Sequence, residues 1–397
     1  MEFRFSKRTE GLKPSMIREI LKYSSVPGMI SLAAGSPPSE ALPSKELGEI
    51  AARVLAENPA AALQYSVTEG YSPLRELTAK RLREKKGIGR ETDGLIITSG
   101  AQQVMELTAK SLLDSGDTIL TEDPSFIGSL NAFRSYGVDL RGVPLCEDGV
   151  DLEALETELK RGNVKIFYCI PNFQNPTGRV TSLEKRRKLL ELAREYDFVI
   201  IEDDPYGDTR FSGEPLPSIK SLDTEGRVVY AGSYSKVISP GLRVGYCCAD
   251  QRLITRMTVC KQVSDVHTAM LSQLMVYGFL TQYDFDAHLE RLRAVYKSKA
   301  EIMTGILDRF LPEGMSYEKI EGGLFVWCKM PEWVNSADFC TGLVKKNVAA
   351  VPGAAFLADE SQVSRFVRLN FTAPKDEDLR KGTDIFCREA AKFLAKE

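Results

Sequence analysis

Between residues 95 and 231, short apolar runs alternate with segments of helical character, and this alternation restricts the fold more than any other feature. Helical segments separate most of the runs, notably at 102–113, 151–161 and 182–195. Strand and helix in alternation predict an α/β chain with a mostly parallel sheet covered by helices. The predicted strands cover residues 95–98, 118–120, 138–143, 164–170, 198–201 and 228–231.

The segments on either side of this region predict a second, smaller α+β unit. Residues 252–310 are expected to be helical throughout, with a break near 283–284. Because 397 residues are too many for one hydrophobic core, we predict an N-terminal segment that completes the small domain (1–45), a large domain (46–285) and a small C-terminal domain (286–397). The other expected elements are helices at 15–23, 45–56, 73–85 and 376–395, and strands at 29–34, 323–328, 349–351 and 366–371.

Composition excludes several classes of protein. The net charge of −3 lacks the basic character of a nucleic-acid binder, and no apolar run approaches a membrane span. The N-terminus has no apolar core of a secretory signal. Eight cysteines scattered through apolar runs are typical of buried free thiols in a reducing compartment, which predicts a cytoplasmic location. The two histidines, His267 and His288, are expected to be ordinary helix residues, so we expect no metal site.

Lys236 stands between two apolar runs, 228–231 and 244–248, and is therefore expected at a strand end, where open α/β sheets bind ligands. A lysine desolvated near other cations becomes a nucleophilic amine. Arg243 follows seven residues later and offers a planar fork suited to phosphate. A solvated lysine in a turn is the alternative. The small residues around Lys236, which permit close approach of a ligand, are Gly232, Ser233, Ser235 and Gly241.

Two further turns follow predicted strands. In Thr98-Ser99-Gly100-Ala101-Gln102 a strand runs into a helix, so free N–H groups and the helix dipole form an anion site. Such junctions are common, and this one alone has little specificity. In Asp123-Pro124-Ser125-Phe126, Phe126 either stacks on a flat ring or belongs to the core.

Polar side chains also follow the strands at 164–170 and 198–201. The loop Pro171 to Gly178 contains two prolines, and Asn175 precedes one of them, which favours a rigid, extended shape over an ordinary turn. Asp203 and Tyr206 are three residues apart and are placed to face one ligand. The alternative for Glu202, Asp203 and Asp204 is a solvated acidic loop, since buried acids are costly without a cation.

These stretches, in this order, resemble the class I and II aminotransferases of pyridoxal phosphate fold type I. The resemblance extends from about residue 31 to the end and implies a mostly parallel, seven-stranded type of sheet sandwiched by helices, with a smaller α+β domain. Within the family, the chain is most similar to the branch of 2-aminoadipate and kynurenine aminotransferases, through Ser15-x-Ile17-Arg18-Glu19 and Ala101-Gln102-Gln103. The family motifs are Asn175-Pro176-Thr177-Gly178, Asp203-x-x-Tyr206, Ser233-x-Ser235-Lys236 and Arg243.

The resemblance implies pyridoxal 5′-phosphate as cofactor. Lys236 would form the aldimine and move the proton, Asp203 would pair with the pyridinium nitrogen, and Tyr206 would join Asn175 at the phenolic oxygen. Arg368 would grip the substrate α-carboxylate, assisted by Gly35 and Asn175. Phe126 would stack on the ring. The phosphate ligands would be Gly100, Ala101, Gln102, Ser233, Ser235 and Arg243.

Two positions depart from the family pattern. Ala101 replaces a common hydroxyl residue, so one phosphate hydrogen bond is lost. Phe126 stands where tyrosine is frequent, which preserves stacking but removes any role of a hydroxyl.

Tyr65 lies in the polar loop 64–71, where an aromatic residue on a monomer surface is the simple interpretation. The resemblance implies instead that Tyr65 reaches the cofactor phosphate of the neighbouring subunit. This role implies a homodimer with shared active sites.

The activity implied is a ping-pong exchange in which an L-amino acid gives its amine to a 2-oxo acid, with 2-oxoglutarate expected as acceptor. Other reactions of the same fold, such as those of C–S lyases or decarboxylases, would use nearly the same residues. A regulator with an aminotransferase-like domain is less expected, because no basic helix-turn-helix segment precedes the predicted enzyme domain.

Arg18 is the residue that we expect to determine substrate specificity. In the branch that the chain resembles, the first helix caps the substrate pocket. Arg18 would then meet the distal carboxylate of glutamate, 2-aminoadipate or 2-oxoglutarate. The alternative is a helix-surface arginine paired with a nearby acid.

Overall fold

The computed structural model describes residues 3–6, 26–359 and 361–395. The predicted helix at 15–23 lies outside this range. The strands are β1 (Ile30–Ser31), β2 (Asp93–Thr98), β3 (Thr118–Asp123), β4 (Asp139–Cys146), β5 (Gly149–Val150), β6 (Val164–Cys169), β7 (Val199–Asp204), β8 (Val228–Ser233), β9 (Gly245–Asp250), β10 (Ser316–Tyr317), β11 (Phe325–Lys329), β12 (Val348–Ala349), β13 (Val351–Pro352) and β14 (Phe366–Asn370). The α-helices are α1 (Ser44–Glu57), α2 (Pro59–Leu63), α3 (Ser72–Lys86), α4 (Ala101–Leu112), α5 (Ile127–Arg134), α6 (Leu152–Lys160), α7 (Leu183–Glu195), α8 (Ile219–Leu222), α9 (Gln251–Gln262), α10 (Met270–Gln282), α11 (Phe285–Phe310), α12 (Ser336–Val344) and α13 (Asp376–Leu394).

Local sequence signals account for several helix ends. Asp151 accepts hydrogen bonds from the N–H groups of Glu153 and Ala154, each at 3.0 Å, and so caps α6. Ser182 caps α7 in the same way. At the other end of a helix, Gly87 takes a left-handed φ of 64° and terminates α3.

The central sheet has eight strands in the order β2-β9-β8-β7-β6-β3-β4-β5. Strands β4, β3, β6, β7 and β8 run parallel, whereas β9 is antiparallel to both β8 and β2. The eighth strand, β5, has only two residues and forms a hairpin with β4. The predicted mostly parallel sheet is therefore confirmed.

Helices cover both faces of this sheet. The evidence is that alternate residues of β6 belong to different hydrophobic clusters. Ile166 and Tyr168 join the cluster that includes α4 and α10. Phe167 and Cys169 join the cluster that includes α6 and α7. A sheet buried on both faces is what parallel strands with helical crossovers require.

A third hydrophobic cluster packs against a four-stranded antiparallel sheet, ordered β10-β11-β14-β13, and includes Ile30 and Leu32 from the N-terminal segment. Helix α11 contributes Leu289 to the cluster that includes α4 and α10, and Met303 to the cluster of the four-stranded sheet. The division at 1–45, 46–285 and 286–397 stays a prediction.

Some expected details are wrong. The helical region from 252 has a second break at 263–269, where Val266 takes a left-handed φ of 65°. His267 lies in that turn, whereas His288 lies in α11 as expected. Strand β1 spans two residues instead of 29–34 because only these pair with β12. All eight cysteines are free, but Cys146 is exposed.

Among the described helices, none has the length and apolar character needed to cross a membrane. Within the same residues, no group of three or more His, Cys, Asp and Glu side chains is placed to hold a metal ion.

Candidate active site

The predicted site residues come from the segments that follow β6, β7 and β8, together with β14. Because β6, β7 and β8 run parallel, their carboxyl ends meet at one edge of the sheet, where α/β proteins bind ligands. The charges of Arg243, Arg368 and Asp203 shift the pKa of Lys236. These side chains are therefore near the lysine, and all four lie in one region.

Lys236 is only partly exposed, and its Nζ donates a hydrogen bond to the carbonyl oxygen of Gly35 at 2.7 Å. The Tyr296 hydroxyl donates to the Lys236 carbonyl at 3.1 Å and fixes the backbone. Burial lowers the pKa of Lys236 to about 8, aided by the nearby charges of Arg243 and Arg368. A larger fraction of neutral amine near physiological pH makes this lysine a better nucleophile.

Asp203 is buried at the end of β7, and its two carboxylate oxygens differ. Oδ2 accepts a hydrogen bond from the Tyr168 hydroxyl at 2.8 Å. Oδ1 is buried with no hydrogen-bond partner among the described residues. Burial raises the pKa of Asp203 to about 7. An unsatisfied buried oxygen is unusual in a folded protein, and at a strand end it indicates a place for a ligand donor.

Asn175 and Tyr206 lie against each other, both buried, with Asn175 Nδ2 and the Tyr206 hydroxyl 3.5 Å apart. Burial raises the pKa of Tyr206, so the phenol is protonated at neutral pH. Its ring meets the ring of Phe325 edge to face, with centroids 6.1 Å apart. The hydroxyl is thus held by its neighbours at a fixed position.

Arg368, in β14, is almost fully buried. Its Nη1 donates to Asn175 Oδ1 at 2.9 Å and its Nη2 to the carbonyl of Ala33 at 2.6 Å. Its Nε has no partner among the described residues. The guanidinium carbon lies 4.1 Å from the ring centroid of Phe325 and 4.8 Å from that of Phe356. A desolvated cation held by aromatic faces, with a donor free, is suited to a carboxylate.

The turn at 98–102 lies beside Arg243. Gly100 has a φ of 79°, and a side chain there would collide with the guanidinium of Arg243. Arg243 also takes a left-handed φ of 54°, and its Nη2 donates to the carbonyl of Ser99 at 3.2 Å. Ala101 and Gln102 open α4, so their N–H groups have no acceptor within the helix. This arrangement can bind an anion.

The other predicted phosphate and ring contacts are close by. Ser233 Oγ accepts from the N–H of Ser235 at 3.1 Å. The Gln102 side chain donates to the carbonyl of Gly128 at 2.7 Å, which holds the amide beside α5. Phe126 is half-buried, and its ring lies over Gly128, where any side chain would strike it.

Two side chains that the sequence did not identify, Lys261 and Asp265, support the 98–102 turn through Ser99 and Gln103. The Ser99 hydroxyl donates to Asp265 at 2.7 Å. Gln103 accepts from the Ser99 N–H at 2.9 Å and from Lys261 Nζ at 2.6 Å. Lys261 also pairs with Asp265 at 2.8 Å. The support comes from α9 and the turn after it, more than 150 residues away in the chain, and no local pattern marks it.

Tyr65 has no contact with this constellation among those found in the described part of the chain. Tyr65 is 81% exposed, and its ring meets that of His267 edge to face at 6.1 Å. Arg18 lies outside the described residues.

The expected alternative of a solvated acidic loop is wrong for residues 202–204, because β7 continues through them and all three are buried. Glu202 accepts from the N–H groups of Ile219 and Lys220 at 2.9 and 2.7 Å. Asp204 is paired with Lys86 at 3.0 Å. These acids are tolerated because each has donors of its own.

The sheet and the groups at its carboxyl edge define an α/β protein in which a lysine amine with a lowered pKa lies among residues suited to bind anions. The family model described as aminotransferase class I and II matches residues 27–386, and the chain belongs to this family.

Known aminotransferases are similar to this chain in sequence and structure over nearly its whole length. An aromatic-amino-acid aminotransferase of Thermococcus litoralis is 41% identical, covering 95% of this chain and 92% of the relative. The structure of a Pyrococcus horikoshii kynurenine aminotransferase in complex with PMP has a TM-score of 0.94 and 36% identity, covering 98% and 97% of the two chains. An α-aminoadipate aminotransferase from Thermus thermophilus, complexed with N-(5′-phosphopyridoxyl)-L-leucine, has a TM-score of 0.92 and 39% identity, covering 99% and 98%.

The chain is therefore an aminotransferase, and its cofactor is pyridoxal 5′-phosphate. The residues at the site fit that group. The free Oδ1 of Asp203 suits a protonated ring nitrogen, and the Gly100–Arg243 contact leaves a cradle of donors suited to a phosphate.

Proposed function

We propose that this aminotransferase transfers the amino group of an L-amino acid to a 2-oxo acid by a ping-pong mechanism, with 2-oxoglutarate as acceptor and Lys236 as the catalytic amine. One observation carries the proposal. The amine of Lys236, with its pKa lowered to about 8, lies near Asp203 and Arg368. Each of these two side chains keeps one buried polar atom without a partner among the described residues.

When bound, pyridoxal phosphate supplies the electron sink that lets an amino acid lose its Cα proton. Asp203 would hold the ring nitrogen in its protonated form through Oδ1, while Tyr168 keeps Oδ2 in place. Asn175 and Tyr206 would hydrogen-bond the phenolic oxygen. The phosphate would be held by Gly100, Ala101, Gln102, Ser233, Ser235 and Arg243.

The substrate would be oriented by Arg368. Its Nε is free of partners among the described residues, and Asn175 and Ala33 fix the plane of the guanidinium, so a carboxylate can approach along one edge. Lys236 would take the Cα proton as a neutral amine and deliver it to the C4′ carbon of the cofactor, on the other side of the amino nitrogen. Its hydrogen bond to Gly35 holds Nζ at the N-terminal segment, close to the position proposed for the carboxylate.

The Lys236→Ala variant tests this assignment. We expect turnover to be abolished and the cofactor absorbance to differ from wild type, with an unchanged melting profile of the cofactor-free protein. Lys85→Ala, which removes a half-exposed lysine paired with Asp286, is the control and should retain activity. Near-normal turnover of Lys236→Ala would refute the role of Lys236. Release of ammonia without a 2-oxo acid would indicate elimination instead of transamination.

We further propose a homodimer in which Tyr65 reaches the phosphate site of the partner subunit. The support is that exposed apolar residues stand close in the chain to Tyr65 and to its ring partner His267: Leu63 is 72% exposed and Val263 is 75% exposed. Val67 and Val266 are also exposed there. Exposed apolar side chains that form one patch would indicate a protein interface.

For the donor, we propose amino acids with large side chains, including 2-aminoadipate and aromatic amino acids. The relatives compared above are named for aromatic amino acids, kynurenine and α-aminoadipate. Arg18 is proposed to contact a distal carboxylate. A cytoplasmic location is proposed as well, because every cysteine is unpaired.

A further inference from the structure

Asp204 lies next to Asp203 in β7, but the two carboxylates are in opposite situations. Successive side chains of a strand point to opposite faces of the sheet. Asp203 keeps one oxygen without a partner among the described residues, whereas both oxygens of Asp204 are fully used. Asp204 is therefore a structural anion placed directly behind the residue proposed to hold the cofactor ring.

Each oxygen of Asp204 accepts two hydrogen bonds. Oδ1 accepts from Asn172 Nδ2 at 3.0 Å and from the Gly207 N–H at 2.9 Å. Oδ2 accepts from Lys86 Nζ at 3.0 Å and from the Tyr230 hydroxyl at 2.7 Å. Burial alone would raise the pKa of this carboxyl, but Lys86, Asn172 and Tyr230 lower it to about 2.

Two of these donors belong to the segments that carry proposed cofactor ligands. Asn172 is three residues before Asn175, in the loop after β6, and Gly207 directly follows Tyr206. The same two segments also meet directly, because Asn175 Nδ2 and the Tyr206 hydroxyl are 3.5 Å apart. Asn175 Oδ1 in turn accepts from Arg368 at 2.9 Å. The two segments are thus joined twice, once through Asp204 and once through the proposed ligands themselves.

The Asn172 side chain can adopt only one orientation here. Its Oδ1 accepts from the buried guanidinium of Arg186 at 2.7 Å, so its Nδ2 must face Asp204. Arg186 also donates to the carbonyl of Pro171 at 2.9 Å, which anchors the start of the same loop. The distance between Asp204 and this loop is therefore fixed by a chain of satisfied buried groups.

The contact at Gly207 is equally tight. A Cβ atom added at this position would lie 2.6 Å from Asp204 Oδ1 and 2.7 Å from Oδ2. Real Cβ atoms do not approach so closely, so the absence of a side chain at 207 lets the backbone N–H reach the carboxylate.

We propose that Asp204 is a positioning residue for transamination, which sets the spacing between the loop of Asn175 and the turn of Tyr206 through Asn172 and Gly207. The proposal rests on the functions proposed above for Asn175 and Tyr206. Asp204 touches neither substrate nor cofactor. Its effect is to hold two segments at the separation that the site requires.

The experiment compares three variants as cofactor-loaded enzymes, with kcat, the KM of the amino acid, the dissociation constant of pyridoxal phosphate and the melting temperature as readouts. In Asp204→Asn, the amide presents a donor to Lys86. We expect a roughly ten- to hundredfold loss of kcat/KM, in kcat and KM together, because small displacements of positioned groups have effects of this size.

The other two variants separate the two connections and do not alter the charge of Asp204. Asn172→Ala releases only the loop that carries Asn175 and so Arg368, and should mainly raise KM. Gly207→Ala displaces only the turn of Tyr206 and should mainly lower kcat. If Asp204→Asn does not fold, these two variants still decide the question.

The matched control is Asp223→Asn. Asp223 is also buried, pairs with the buried Lys220 at 3.3 Å and accepts backbone N–H groups, but it lies at the amino end of β8. We expect it to lower the melting temperature with unchanged kcat and KM. If the Asp204, Asn172 and Gly207 variants do the same, Asp204 only stabilises the fold and the proposal is overturned.

Asn175→Ala and Tyr206→Phe distinguish the possible failures. If both are impaired while the Asp204, Asn172 and Gly207 variants are kinetically normal, the inference on Asp204 alone is wrong. If Asn175→Ala and Tyr206→Phe are themselves normal, the roles proposed for those two residues fail and the inference fails with them.

Discussion

Arg368 Nη1 donates to Asn175 Oδ1 at 2.9 Å, while the Nε of the same guanidinium is buried without a partner among the described residues. Asn175 therefore determines which edge of the guanidinium stays available. Since Asn175 also lies 3.5 Å from Tyr206, one amide connects the proposed carboxylate site with the proposed ring site. In the proposed mechanism, Asn175 would accordingly orient both the substrate and the cofactor.

Arg368→Lys should raise KM for every amino donor, because a lysine ammonium cannot form the planar two-point contact with a carboxylate. Loss of one charge-assisted hydrogen bond corresponds to about 1.5–3 kcal/mol, or roughly ten- to a hundredfold in kcat/KM. Steady-state kinetics with two unrelated amino donors measure the effect. A change confined to one donor would show that Arg368 reads the side chain instead of the α-carboxylate.

Asp203→Asn should bind pyridoxal phosphate but react slowly, since a neutral amide cannot stabilise positive charge on the ring nitrogen. Because the defect concerns electron withdrawal, removal of the Cα proton should be slowed most. The deuterium isotope effect at Cα measures this step and should be larger than in wild type. Unchanged turnover and an unchanged isotope effect would contradict the role of Asp203.

Asp203 also predicts a pH effect in the cofactor-free protein. Burial raises its pKa to about 7 from an ordinary value of 3.8, so the folded protein binds more protons than the unfolded chain between these values. The carboxylate therefore costs the wild type stability as pH rises from about 4 to 7. Cofactor-free Asp203→Asn should melt above wild type at pH 8, with the difference shrinking at acid pH.

Lys236 should titrate with a pKa near 8 in the cofactor-free enzyme. Its neutral fraction, and with it the rate of modification by trinitrobenzenesulfonate, should rise to a plateau just above that pH. A lysine with the ordinary pKa of 10.5 would reach this plateau only at much higher pH. Arg243→Gln removes a cation and should move the midpoint upward. Peptide mass spectrometry locates the modified lysine, and exposed Lys85 serves as the internal reference.

The sequence was informative where chemistry is local. Lys236, Asp203 and Asn175 were predicted at the site because each follows a buried strand closely in the sequence. The structure brings the three side chains to one edge of the sheet. Tyr168 was not predicted, because its contact with Asp203 depends on how two strands register across the sheet. Partners such as Ala33, 335 residues from Arg368, carry no local signal at all.

The acids of β7 show a different limit. A solvated loop was the alternative for these three consecutive carboxylates, yet the strand continues through Asp204, where donors from four other segments contact the buried acids. The break at 263–269 was missed because Val266 adopts a left-handed φ that valine rarely takes. In both cases tertiary contacts override local preference.

A mixed dimer tests whether Tyr65 acts across the interface. Tyr65→Ala and Lys236→Ala subunits should each form poorly active homodimers. If Tyr65 serves the partner's site, the mixed dimer contains one site with both residues intact, so activity should recover on mixing. If Tyr65 serves its own subunit, no intact site forms and no recovery occurs.

Val263→Glu places a charge at an exposed apolar position and should shift the protein toward monomers in light-scattering measurements and lower activity.

The last prediction concerns the choice of substrate. Arg368 is proposed to bind the α-carboxylate, so discrimination for a dicarboxylate would require a second cation. Arg18 is the residue that the sequence suggests for it. Arg18→Ala should weaken transamination of glutamate and 2-aminoadipate by roughly ten- to a hundredfold in kcat/KM. Leucine and phenylalanine should be affected less, because they offer no distal charge.

Glu19→Ala, which changes the neighbouring charge, is the control and should leave the ratio between the two substrate classes unaltered. Comparing kcat/KM for the four donors in each variant gives that ratio directly. An equal loss for charged and apolar donors would assign Arg18 to the scaffold, as a surface arginine paired with an acid. A selective loss for the dicarboxylates would instead support a site that uses two arginines to measure substrate length.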